Sequence, residues 1–247
     1  MRRYPPSYTS FSFGPGPVST ALKCLIGANV AMFLLTIFVS SLTPLLGLMP
    51  AAVISRGFVW QLVTYMFLHG SLFHILFNML ALWMFGAELE RMWGTQYFLK
   101  FYFVTGIGAA VTTILVGLLP FGFARQVMYS LTIGASGAIY GLLLAYALYF
   151  PDRPIYMYLI FPVPAKYFVL IMGAISLFSS VTGSGGGIAH ATHLGGLLVA
   201  YVFLKRSRFH PLAELKYRYL KWKINRVRKK FDVYSGGRAN DWDRRLH

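Results

Sequence analysis

The sequence predicts an all-α membrane protein, built as a bundle of six transmembrane helices. Of its 247 residues 57% are hydrophobic and only 12% are charged, which is more apolar surface than one soluble core of this size buries. Six apolar runs, each with at most one charged residue, have the roughly 17–25 residues that a helix needs to cross a bilayer. The excess of positive charge lies mostly beyond these runs, since 14 of the 23 Lys and Arg residues fall between Lys205 and the C-terminus.

The six predicted spans follow one another with turn-forming residues between them. They lie near residues 25–42, 68–87, 97–119, 126–150, 165–181 and 188–204. Proline and glycine interrupt the pattern after each of the first five, from Thr43-Pro44 to the glycine-rich run at 183–187. The first twenty residues lack the apolar core of a signal peptide, so we expect the first span to be retained.

The distribution of Lys and Arg predicts the orientation, because cytoplasmic loops carry an excess of both. Six spans put the two termini on one side, and that side has nearly all the cations; the other side has only Arg56 and Arg125. We therefore expect a cytoplasmic N-terminal segment over residues 1–20, a membrane domain over 21–205 and a basic cytoplasmic tail over 206–247.

The tail mixes basic residues with leucine, tyrosine and tryptophan. Part of it could form an amphipathic helix on anionic lipid headgroups, and it could equally be a solvated, positively charged extension. Both interpretations stay open. We expect no nucleic-acid partner, since no recognised binding motif accompanies the charge.

Two polar residues in the apolar segments are candidates for catalysis. Ser136 stands between Gly134 and Gly137, which let the backbone approach closely and expose the hydroxyl, and His193 lies in a span without charge until Lys205. Imidazole is the side chain best suited to take a serine proton near neutral pH. Small residues and a single histidine can also serve packing alone. Gly196, one turn after His193, has the small-residue spacing of closely packed helices, which permits the approach that would bring Ser136 and His193 within hydrogen-bond reach.

A serine, a histidine and a carboxylate would make a triad, so the positions of the acidic residues decide whether a triad can form. Glu88, Glu90 and Asp152 lie between spans, and the remaining four lie in the tail. None falls within a predicted span, which favours a Ser136–His193 dyad over a triad.

The second span carries His74 and Asn78, separated by four residues and therefore on one helical face. Polar side chains are costly in a membrane, and two hydrogen-bond donors on one face suit an oxyanion hole.

Three motifs together resemble the rhomboid intramembrane serine proteases. They are FLHGSLFHILFN at residues 67–78, GASGAIYG at 134–141 and THLGG at 192–196, and the resemblance extends over about residues 20–205. It implies that Ser136 is the nucleophile, His193 the general base, and His74 and Asn78 the oxyanion hole. It also implies that Tyr140 packs on the catalytic imidazole.

The resemblance further implies an integral protein of the bacterial inner membrane that cleaves transmembrane protein substrates and needs no cofactor or metal. Some rhomboid-like proteins bind membrane clients without cleaving them, and this alternative stays open. Another alternative is a metal site at the histidines of the spans, although no HExxH motif occurs. One departure from the family is that Arg56 and Trp60 are separated, where some bacterial members have a Trp-Arg dipeptide.

Overall fold

The computed structural model describes residues 17–157, 161–182 and 188–208. The chain divides into two compact units, Met1–Leu204 and Lys205–His247. Most of the N-terminal segment and the tail beyond residue 208, for which two interpretations stay open, lie outside the described residues.

The described part of the chain is mostly helical. Its helices are α1 (Thr20–Phe38), α2 (Leu42–Leu46), α3 (Pro50–Arg56), α4 (Gln61–Thr64), α5 (Leu72–Trp93), α6 (Thr95–Gly117), α7 (Gly122–Tyr129), α8 (Ser136–Tyr149), α9 (Ala165–Thr182) and α10 (Ile188–Arg208). A single 3-10 turn, Tyr65–Phe67, continues α4, and two short strands, β1 (Pro154–Met157) and β2 (Phe161–Pro164), join α8 to α9. The prediction of an all-α membrane protein is confirmed.

Three helices within the described residues are long and apolar enough to cross a membrane, namely α1, α5 and α6. Two shorter apolar helices are α8 and the Ala165–Ser180 part of α9. Large hydrophobic side chains on these helices face outward, including Phe38, Phe73 and Phe178 at 84%, 68% and 68% exposure. Such a surface fits lipid, which does not penalise exposed apolar groups as water does.

The fourth predicted span differs most from the structure. Instead of one helix over residues 126–150, the short α7 ends at Tyr129, a non-helical segment follows, and α8 begins only at Ser136. A β-bridge between Thr132 of this segment and Leu48, which lies between α2 and α3, holds the segment in place. Hydropathy alone could not detect this break, because non-helical backbone packed against protein can be as apolar as a helix.

The loop after α1 is held by the side chain of Gln61, which is fully buried. Its amide oxygen accepts from the Met49 N–H at 3.0 Å, and its amide nitrogen donates to the carbonyls of Pro44 and Leu45. Trp60 adds a bond from Nε1 to the Leu45 carbonyl. A Trp-Gln pair thus fixes this loop in a chain without the Trp-Arg dipeptide.

The strands β1 and β2 form an antiparallel hairpin that the sequence did not predict, with Ile155 paired to Val163 and Tyr156 to Pro162. Each strand has only four residues, and a short apolar run of this kind carries no clear periodicity. At the base of the hairpin the Ala165 N–H donates to the Arg153 carbonyl at 2.9 Å.

Helix α8 lies at the centre of the bundle, and ten of its 14 residues are buried. It contacts α5, α6 and α9. With a rise of about 1.5 Å per residue it is about 21 Å long, short of the roughly 30 Å of a hydrocarbon core. A straight α8 is therefore too short for one end to lie at each edge of the hydrocarbon core.

Candidate active site

Ser136 is the first residue of α8 and follows a sharp change of backbone direction. Gly134 has φ of 122°, a conformation that L-residues rarely adopt. A Cβ atom at Gly134 would lie 2.8 Å from Nε2 of His74 and 3.7 Å from Oγ of Ser136. Glycine is therefore needed here for both conformation and space, and His74 and Ser136 flank the same point of the backbone.

The structure brings Ser136 together with His193 of α10. Nε2 of His193 lies 2.8 Å from Oγ of Ser136, within hydrogen-bond distance. The Tyr140 ring, one turn after Ser136 on α8, stacks on the imidazole with centroids 4.1 Å apart and planes 7° from parallel. The hydrogen bond at one edge of the imidazole and the stacked ring on its face together restrict its orientation.

Close contact between α8 and α10 makes this pairing possible. A Cβ atom at Gly196 would collide with the Gly137 carbonyl, so the two backbones meet where neither residue has a side chain. The Thr192 hydroxyl, beside His193, lies 2.7 Å from that of Thr113 on α6. Both hydroxyls are buried, and each supplies the partner that a polar group needs away from water.

No carboxylate reaches His193 within the described residues. Its Nδ1 is buried and has no hydrogen-bond partner there. Glu88 pairs with Arg153, and Asp152 pairs with Lys166 at 2.6 Å.

The third acid, Glu90, is buried at 5% exposure and has a structural position at the end of α5. Its two oxygens accept hydrogen bonds from Ser19 at 2.5 Å and Thr95 at 2.6 Å. These bonds join the starts of α1 and α6 to the end of α5.

His74 and Asn78 lie one turn apart at the start of α5. The Ser71 hydroxyl accepts from the His74 N–H and caps the helix, which explains why α5 begins later than the predicted span. Nδ1 of His74 accepts from the Gly70 N–H at 3.4 Å, leaving Nε2 directed at Gly134. Asn78 is 7% exposed, and its Nδ2 donates to the His74 carbonyl at 2.7 Å.

Tyr65 supports the site but carried no sequence signal that singled it out. Its carbonyl accepts the Gly134 N–H at 2.9 Å, and its hydroxyl donates to the Gly106 carbonyl at 2.7 Å. The fully buried Tyr65 thereby ties the segment before Ser136 to α6. A tyrosine among many aromatic residues is not recognisable as such from one sequence.

The other two histidines of the spans stand beside the site. The His69 ring meets His74 edge-on with centroids 4.9 Å apart, and His190 meets His193 in the same way at 5.7 Å. Among the described residues no group of three or more His, Cys, Asp or Glu side chains converges as a metal site would require.

Comparisons with known proteins identify the family of this chain. The Rhomboid domain family matches residues 56–206, which include every candidate site residue. Rhomboid protein 1, mitochondrial, of Saccharomyces cerevisiae is 30% identical over 138 residues, 56% of this chain and 38% of that protein. RHOMBOID-like protein 12, mitochondrial, of Arabidopsis thaliana is 30% identical over 161 residues, 62% of this chain and 47% of that protein.

A bacterial relative is named as a protease. Rhomboid protease GluP of Bacillus subtilis is 36% identical over 92 residues, 37% of this chain and 16% of that protein. The chain thus spans less than half the length of each of these three relatives. The long apolar helices make the chain an integral membrane protein. Because the match to the Rhomboid domain family covers more than half of the chain, the chain belongs to the rhomboid family.

Proposed function

We propose that this protein is an intramembrane serine endopeptidase that cleaves transmembrane segments with a Ser136–His193 dyad. The observation that carries the proposal is the 2.8 Å contact between Ser136 Oγ and His193 Nε2 at the start of a buried helix. A serine hydroxyl is a weak nucleophile unless an adjacent base removes its proton, and this contact supplies the base.

In the acylation step, Nε2 of His193 takes the hydroxyl proton while Oγ of Ser136 attacks the carbonyl carbon of the scissile bond. The tetrahedral intermediate collapses when the C–N bond breaks and the departing amine receives the proton from His193. The products are an acyl ester on Ser136 and the released amine fragment. Water then attacks the ester, again with His193 as base, and regenerates the hydroxyl.

The negative oxygen of the intermediate needs hydrogen-bond donors. His74 Nε2 is a candidate because it flanks Gly134 together with Ser136, and the Asn78 amide lies one turn further along α5. The first N–H groups of α8 have no acceptor within their own helix and carry its positive dipole end. These donors together form the proposed oxyanion hole.

The proposed site lies below the extracytoplasmic surface. Six spans with cytoplasmic termini put Ser136, at the first residue of α8, on the outer side of the membrane. Because α8 is about 9 Å shorter than a typical hydrocarbon core is thick, Ser136 lies within that core when the other end of α8, at Tyr149, reaches the cytoplasmic edge. Water for deacylation must then enter from outside, while the buried inner part of α8 closes the site toward the cytoplasm.

The proposed substrates are membrane proteins with a single, locally unstable transmembrane helix. A peptide bond in a regular helix is shielded by neighbouring turns, so the segment must unwind before Ser136 can attack it. We place the protein in a bacterial inner membrane, with the domain over residues 21–205 and a basic tail over 206–247 that meets anionic lipid headgroups.

Cleavage of a transmembrane reporter in proteoliposomes tests the proposal, with the wild type compared with Ser136→Ala and His193→Ala. Both variants should fold and lose cleavage, and the double variant should be little worse than either one, since nucleophile and base act as a unit. A reporter that is retained by wild-type protein but never cut would favour the alternative, a binder of membrane clients. Clearly additive losses would argue against the dyad.

A further inference from the structure

The proposed dyad is linked to α9 through a hydroxyl that the mechanism above does not use. Ser176 lies on α9 and is fully buried, whereas its neighbours Ile175 and Leu177 are about half exposed. The Ser176 side chain therefore points into the bundle. Its hydroxyl donates to the Tyr140 hydroxyl at 3.3 Å.

This contact stands at one end of a short series of polar and aromatic contacts. Tyr140 is held at its hydroxyl by Ser176 and lies with its ring flat against His193. His193 in turn contacts Ser136. The orientation of the imidazole thus depends on a ring that is fixed from α8 by its backbone and from α9 by its hydroxyl.

From these contacts we propose that Ser176 is a positioning residue, which orients the imidazole of His193 by fixing the hydroxyl of Tyr140. The inference rests on the proposed function and adds a residue from α9 to it. A buried hydroxyl in a membrane protein needs a partner, and this bond satisfies Ser176 while restraining the ring. Loss of the bond lets the ring tilt, so that Nε2 is less often aligned with Ser136 Oγ.

Ser176→Ala and Tyr140→Phe each remove one hydroxyl of the pair and leave the aromatic ring in place. Each should lower kcat about three- to tenfold with KM nearly unchanged, the effect expected for one hydrogen bond. The double variant should be no slower than the slower single variant, because both remove the same bond. Ser176→Thr keeps the hydroxyl and should restore most of the rate.

Ser179→Ala is the matched control, since Ser179 lies one turn further along α9 and is half-buried. It should have wild-type kcat. The inference would be overturned if kcat fell equally in Ser179→Ala and Ser176→Ala, or if the losses of kcat in Ser176→Ala and Tyr140→Phe were additive in the double variant. Either result would show that the variants act through helix packing.

The rate at which a fluorophosphonate labels Ser136 gives a second measurement that needs no peptide substrate. Ser176→Ala should slow labelling by the same factor as kcat, whereas a defect in substrate entry alone would leave labelling unchanged and overturn the inference. The outcomes also separate the two proposals. If wild-type protein is neither labelled nor able to cleave the reporter, the proposed function is refuted. If wild-type protein is active and Ser176→Ala has the same labelling rate and the same kcat, only the role of Ser176 is refuted.

Discussion

Gly196 of α10 lies against the Gly137 carbonyl of α8, so closely that a single methyl group at Gly196 cannot be accommodated. The contact falls one residue after Ser136 and three residues after His193. Packing of the two helices and alignment of the candidate dyad therefore depend on the same pair of glycines.

Gly196→Ala should abolish cleavage and lower the midpoint of thermal unfolding, because the added methyl forces α10 away from α8. The expected loss of stability is about 1–3 kcal/mol or more, as for other overpacked interiors. Gly27→Ala is the control, since a Cβ atom at Gly27 on α1 meets nothing within 4 Å. Retained activity in Gly196→Ala would show that the bundle can separate here without misaligning Ser136 and His193.

Asn78→Ala should lower kcat by about one to three orders of magnitude with little change in KM, the typical effect of losing an oxyanion donor. Asn29→Ala provides an unusually close control. Asn29 is also buried and also donates its amide to the carbonyl four residues earlier, Leu25, but it lies on α1. Its replacement should leave kcat unchanged.

His74→Ala should lower kcat by about as much as Asn78→Ala does. If turnover is unchanged in both variants, or falls equally in Asn29→Ala, the two residues of α5 serve packing and the oxyanion must be bound by the α8 N–H groups alone.

The sequence indicated which polar residues come together better than it indicated the backbone that holds them. Ser136, His193, His74 and Asn78 stood out because polar residues are expensive in apolar segments. Tyr65 and Ser176 did not stand out, since their roles depend on contacts with Gly134 and Tyr140 that arise only when distant helices pack. The break before Ser136 was missed for a related reason: the segment at 130–135 is held by Leu48 and Tyr65 rather than by its own composition.

Glu90→Gln should destabilise the protein without removing catalysis. In the amide one accepting oxygen becomes an NH2 group, so the bond to Ser19 or to Thr95 must reverse its direction and the hydroxyl must accept instead of donate. Disturbing a buried hydrogen-bonded group in this way costs about 1–3 kcal/mol. Thermal unfolding and kcat should be measured together, and kcat at a temperature well below the unfolding midpoint should stay within a few fold of wild type. Asp152→Asn is the exposed control and should change neither quantity, because a surface ion pair contributes about 0–1 kcal/mol.

Glu88→Gln should likewise leave kcat within a few fold. A selective loss of several orders of magnitude in any of these three amide variants, with stability retained, would identify a third catalytic member and contradict the dyad.

The proposed orientation predicts opposite labelling of two exposed positions, Gln126 on α7 and Asp152 after α8. On a Cys24→Ala background, Gln126→Cys should react with a membrane-impermeant maleimide added to intact cells, since it would face the extracytoplasmic side. Asp152→Cys should react only after the cytoplasmic face is opened, for example in inverted vesicles.

The two labelled positions, Gln126 and Asp152, lie on either side of α8, so a single crossing by that helix requires their labelling to differ. Labelling of Asp152→Cys but not Gln126→Cys in intact cells would reverse the orientation, and labelling of both from outside would mean that α8 does not cross at all. Either result would remove the proposed path for water to Ser136, because that path depends on the start of α8 facing outward.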